Sequence, residues 1–126
     1  MYSDIIKASA SQNGLLVEAR AYYLGDDIVV SVGGGTQYHI GAVSIAVFEP
    51  ERDSATVSTL CVYSHRDDSI SAFFAKKISR EMKCTVSVSA GIHVDNADEN
   101  QIELLSKLSR ECCDGIICRL KTGGAL

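Results

Sequence analysis

The chain has 126 residues, 46% of them hydrophobic, with 12 Lys and Arg against 16 Asp and Glu for a formal charge of −4. That is enough apolar material for one core and too little for two, so residues 1–126 are expected to form a single domain. The charges are interspersed without a Lys/Arg run, which argues against nucleic acid and against an anionic membrane surface as partners. No apolar run of about eighteen residues occurs, and Met1-Tyr-Ser-Asp-Ile-Ile-Lys-Ala lacks the basic start of a secretory signal. A cytoplasmic protein is expected.

Periodicity then divides the chain. Leu15–Tyr23 reads as a first strand, and Gly25-Asp26-Asp27 as the turn of a hairpin into a short second strand, Ile28–Val32, stopped by Gly33-Gly34-Gly35. His39–Glu49 reads as a long third strand, Pro50-Glu-Arg-Asp53 as a turn, and Ser54–Tyr63 as a fourth, the four forming an antiparallel meander. Ile70, Phe73, Phe74, Ile78 and Met82 recur at helical steps, with Lys76, Lys77, Arg80 and Glu81 on the wet side. Ser64 and Asp67/Asp68 supply cap residues for that helix. Thr85–Ala90 alternates as a fifth strand. A second helix places Ile102, Leu105, Leu108, Cys112 and Ile116 inward, with Asp98 and Gln101 spaced as a capping pair, Gly115 as a stop signal, and Lys121–Leu126 as a tail or last short element. The expected class is α+β, a mostly antiparallel sheet of about five strands with two helices on one face.

The third strand is apolar on both faces, Val43, Ile45 and Val47 alternating against Ile40, Ala42, Ala46 and Phe48. Two helices cover only one of them. A second copy of the chain is the expected cover, which predicts a homodimer.

The five cysteines, Cys61, Cys84, Cys112, Cys113 and Cys118, form an odd set without a Cys-x-x-Cys pair and read as small buried hydrophobes. The chemistry concentrates elsewhere. The three histidines lie in three turns: Gly33-Gly34-Gly35-Thr-Gln-Tyr38-His39-Ile-Gly41, Ser64-His65-Arg66-Asp67-Asp68, and Gly91-Ile-His93-Val-Asp95-Asn96. The glycines permit close backbone approach but lead into a strand, which excludes a Rossmann fingerprint or a Walker loop. They shape a hairpin or cradle a ligand. His65 and Arg66 at a helix start suit a phosphate or carboxylate, whereas Asp67 and Asp68 suit capping. Asp95 either orients His93 or begins the next helix. No Gly-x-Ser-x-Gly elbow or recognisable Cys nucleophile motif is present. Histidines from separate loops also bind zinc or iron, so a small metal-dependent enzyme using His39, His65 and His93 stays open.

Gly34-Gly35 with His39-Ile-Gly41-Ala-Val43, the His65-x-Asp67-Asp68 turn, and Gly91-Ile-His93-x-Asp95-Asn-Ala97 occur in that order, from about Val30 to Leu108, and resemble the prenylated-flavin chaperone, LpdD-like family. The resemblance implies a proteasome-assembly-chaperone-like fold that dimerises. It also implies a non-catalytic carrier of prenylated FMN, or of FMN, that assists a UbiD-type aromatic-acid decarboxylase, with a flavin prenyltransferase as a further partner. The implied cofactor-binding residues are Gly34, Gly35, Tyr38, His39, Gly41, His65, Arg66, Asp67, Gly91, His93 and Asp95, with Tyr38 or Tyr63 as an aromatic wall and Arg66 at the phosphate. A protein-assembly chaperone without a small ligand is the alternative.

Overall fold

A computed structural model describes residues 1–62 and 68–123. Six strands and two helices follow in the order β1 (Ile6–Gln12), β2 (Leu15–Leu24), β3 (Asp27–Gly35), β4 (Ala42–Glu49), β5 (Ser54–Cys61), α1 (Asp68–Met82), β6 (Val86–His93) and α2 (Glu99–Lys121). A 3₁₀ turn at Pro50–Arg52 joins β4 to β5, closed by Asp53 in the left-handed region. The expected mostly antiparallel α+β architecture is present, and all strands lie in one sheet of order β1-β2-β3-β6-β4-β5.

That order corrects the continuous meander. The hairpins β2/β3 and β4/β5 form, but β6 inserts between them, antiparallel to β4 and parallel to β3. Periodicity locates strands without stating their lateral order, which long-range pairing decides. β1 was not expected at all, because Ile-Lys-Ala-Ser-Ala-Ser-Gln has small inward residues and a weak apolar signal. The three glycines do not stop the second strand either, since they pair within β3 up to Gly35. The third strand begins at Ala42, not His39. The fifth extends to His93.

Alternation decides which side of the sheet the helices cover. Val17, Ala19 and Ala21 of β2, Ile28, Val30 and Val32 of β3, Val86, Val88 and Ala90 of β6, and Ala42 and Ala46 of β4 are buried. Phe74, Ala75 and Ile78 of α1 and Leu105, Leu108, Cys112, Ile116 and Leu120 of α2 complete that core. Burying each large aliphatic or aromatic side chain there contributes about 1.5–3 kcal/mol. A buried hydroxyl cluster links the layers: Ser44 Oγ lies 2.7 Å from both Ser71 Oγ and Thr59 Oγ1, tying α1 to β4 and β5.

The capping box of α2 is formed as expected, with Asp98 accepting from the Gln101 N–H and the Gln101 side chain accepting from the Asp98 N–H. Three helix expectations fail. Gly115 lies inside α2 next to Ala8 rather than ending the helix, which runs on to Lys121. Ile102 is 55% exposed, because the apolar stripe starts one turn later at Leu105. Phe73 is likewise an exposed member of the α1 stripe. The Ser64/Asp67 cap, Tyr63 and the last three residues lie outside the described residues.

Cys112 and Cys113 are buried and Cys84 half-buried, whereas Cys61 and Cys118 are exposed, which corrects the reading of all five as core residues. Burial pushes the Cys84 thiol up to about 11 and those of Cys112 and Cys113 up to about 12. Native protein treated with a maleimide is expected to label at Cys61 and Cys118 and to protect the other three until it unfolds. The raised values also set an alkaline limit. Above the unfolded thiol pKa of about 8.5, the unfolded chain loses protons that the folded chain retains. Stability therefore stays intact below that pH and falls towards pH 11, as denaturant melts at pH 7.5 and 10 will test.

Candidate functional site

Because β6 lies between β3 and β4, the connection from the end of β3 to the start of β4 must cross it. Residues 36–41 do so on the face away from the helices. This strap is held at both ends: the Thr36 N–H donates to the His93 carbonyl at 2.7 Å, and the Gly41 N–H donates to the Ala90 carbonyl at 2.8 Å. The glycines are what allow it to lie flat. Gly91 pairs with Gly33 across β6 and β3. A Cβ on Gly91 would fall within the His39 carbonyl, and a Cβ on Gly33 would lie 2.5 Å from the Tyr38 ring. Gly35 ends β3 at φ +72°, and a Cβ there would strike the His93 carbonyl. Only glycine fits these contacts without moving backbone or an aromatic ring.

The strap sets Tyr38, His39 and Ile40 over the open face at the carboxyl ends of the parallel pair β3/β6, where ligands of open sheets collect. His39 and His93 meet edge to face with ring centroids 6.3 Å apart. Asp95 stands 2.7 Å from His93 Nε2, fixing that ring. Of the three expected histidines, the structure thus brings together two. His65, Arg66 and Asp67 lie outside the described residues. Only the approach to them is seen: the Val62 N–H donates to the Gly41 carbonyl at 2.8 Å, so β5 ends beside the strap. Gly34 faces the β2 backbone near the Leu16 carbonyl and the Val17 side chain.

Beside the strap is a cleft of about 530 Å³ lined by Glu18, Arg20, Ser31, Gly33, Tyr38, His39, Ile40 and Ser89. Its floor is the serine pair Ser31 and Ser89, neighbours on β3 and β6. One wall is the strap. The other is Glu18 and Arg20 of β2, opposite Gly33 and Ser31 in register. Sequence reasoning missed Glu18, Arg20, Ser31 and Ser89. A signal existed for the first two: in Leu-Leu-Val-Glu-Ala-Arg-Ala they alternate with core residues and so must share the opposite face. Desolvation and then a hydrogen bond to Glu18 raise the Tyr38 phenol, keeping its proton in place as a donor. Among the described residues, no three His, Cys, Asp or Glu side chains converge to hold a metal ion. Of a three-histidine metal centre, the described residues include His39 and His93.

The open face continues as an apolar strip beyond Ser89. Val43, Ile45 and Val47 of β4 and Leu60 of β5 are all exposed, Leu60 at 75%.

Residues 11–121 match the family model of the prenylated flavin chaperone LpdD-like domain. The chain belongs to the prenylated flavin chaperone LpdD-like family. Protein LpdD of Lactiplantibacillus plantarum (strain ATCC BAA-793 / NCIMB 8826 / WCFS1) is 27% identical over 113 residues, which cover 90% of this chain and 83% of that protein. In this LpdD-like chain the architecture is also that of proteasome assembly chaperones. A chain in the crystal structure of a novel chaperone complex for yeast 20S proteasome assembly aligns with a TM-score of 0.63 at 14% identity, covering 97% of this chain and 98% of that one. At that identity the likeness concerns the fold. The expected family and fold are both shown, and membership of a chaperone family points to a partner protein. No helix among the described residues is long and apolar enough to cross a membrane.

Proposed function

We propose that this LpdD-like chain is a non-catalytic carrier of prenylated FMN, with FMN as its simpler analogue, and that it assists maturation of a UbiD-type aromatic-acid decarboxylase. The observation that carries the reading is the cleft beside the strap. A planar cofactor needs an aromatic or apolar wall and a few convergent polar groups in a space of roughly 300–1,000 Å³. Tyr38 and Ile40 offer the wall, and His39, Ser31, Ser89, Glu18 and Arg20 the polar groups. The residues therefore fit the cofactor. The flavin supplies the electron-accepting ring used later by the decarboxylase; this chain's residues bind the ring, shield it and release it.

The test is transfer. Protein loaded with prenylated FMN and mixed with apo-decarboxylase is expected to hand over the cofactor, so that decarboxylation appears faster than with the same free flavin. Equal rates with and without the chain would overturn the carrier role and leave a protein-assembly chaperone without a small ligand.

The same reading includes a homodimer. Its support is the exposed strip Val43, Ile45, Val47 and Leu60, a contiguous apolar patch of the kind that marks interfaces. Sedimentation at micromolar concentration is expected to give twice the chain mass of 13.5 kDa. Ile45→Arg is expected to give monomers that stay folded. A wild-type monomer would contradict the dimer.

A further inference from the structure

We infer that Glu18 and Arg20 together recognise a neutral cyclic-imide edge of the bound ring, a carbonyl, an N–H and a carbonyl in a row, rather than a phosphate. This rests on the flavin-carrier reading above and assigns a role to the charged pair Glu18 and Arg20 in the cleft.

Placement comes first. Val17, Ala19 and Ala21 point into the core at 0–1% exposure, so Glu18 and Arg20 between them face the open side. They border the same cleft. Tyr38 lies over Gly33, the residue that pairs with Glu18, so its ring stands beside that carboxylate. A carboxylate has about four lone-pair positions, so Glu18 is able to accept from a ligand. Arg20 Nη2 stands 4.0 Å from Glu18 Oε1, with side chains 55% and 31% exposed. An ion pair so long and so exposed is weak. The guanidinium keeps donors of its five for a ligand.

Charge decides the ligand group. A phosphate on Arg20 would also lie close to the Glu18 carboxylate, and the repulsion at such distances is as large as the attraction. The pair is neutral as a unit. What it offers is one acceptor beside one fork of donors, which matches an imide N–H next to an imide carbonyl. Ser31 and Ser89 on the floor add hydroxyls that adapt to either role.

The experiment titrates wild type, Glu18→Ala, Glu18→Gln and Arg20→Ala with FMN, with lumiflavin (the same ring without phosphate) and with N3-methyl-lumiflavin, following flavin fluorescence. Wild type is expected to bind FMN and lumiflavin and to bind the N3-methyl compound about tenfold more weakly, the usual size of one lost hydrogen bond. Glu18→Ala should weaken FMN and lumiflavin alike by about tenfold and leave the N3-methyl compound where it was. Glu18→Gln, which keeps an acceptor oxygen, should restore part of the loss, a recovery that a merely misfolded variant would not show. An Arg20→Ala loss confined to FMN, or FMN binding that tightens in Glu18→Ala, would overturn the inference in favour of a phosphate site while leaving the carrier reading intact. No binding of any flavin by wild type would overturn both.

Discussion

Gly91→Ala is expected to destabilise the protein by about 2–3 kcal/mol, roughly a 10 °C drop in melting temperature, and to abolish flavin binding. The added methyl would occupy the position of the His39 carbonyl, a backbone atom that cannot rotate aside. Relief requires the strap to lift from β6, which breaks the Gly41 N–H bond to Ala90 and parts His39 from His93. Gly115→Ala is the contrasting control. There the new Cβ meets only the Ala8 side chain at 3.4 Å within a helix, where alanine is favoured over glycine by about 1 kcal/mol. Calorimetric melts of both variants check the pair. An unchanged melting temperature for Gly91→Ala would mean that the strap does not rest on β6.

The second large effect concerns binding without folding. His39→Ala and His93→Ala are each expected to weaken prenylated FMN or FMN by about 1–3 kcal/mol, the consequence of leaving a ligand group without its partner, while the ligand-free melting temperature barely moves. Both rings are only partly buried, and His93 with Asp95 sits at the carboxyl end of β6. If the histidines instead served only the turns, stability would fall and affinity would not. Calorimetric titration beside thermal melts separates the two patterns.

The parts of the fold set by local pattern were legible in the sequence. The strand patterns Leu15–Tyr23 and Ser54–Tyr63 and the capping pair Asp98/Gln101 led to elements that the structure contains, the second of these strands ending at Cys61. What depends on distant pairing was not legible. Nothing local in Val86–His93 says that it inserts between β3 and β4, and without that insertion the glycines of Gly33–Gly35 look like a terminator. In the sheet they are part of a strand whose open face a crossing segment occupies. The site divides the same way. The His39 and Gly91-Ile-His93 motifs pointed to one place because both serve a single crossing, whereas Glu18, Arg20, Ser31 and Ser89 belong to no motif and reach the cleft only through strand register. The apolar outer face of β4 was read from Val43, Ile45 and Val47 alone, and those residues are exposed.

Native mass spectrometry of the purified chain mixed with prenylated FMN at micromolar concentration bears most directly on the carrier reading. The expected spectrum shows a dimer carrying one flavin per chain, and a His39→Ala sample under the same conditions shows mostly bare protein. A wild-type spectrum that stays bare with both prenylated FMN and FMN, under reducing and oxidising conditions alike, would contradict it.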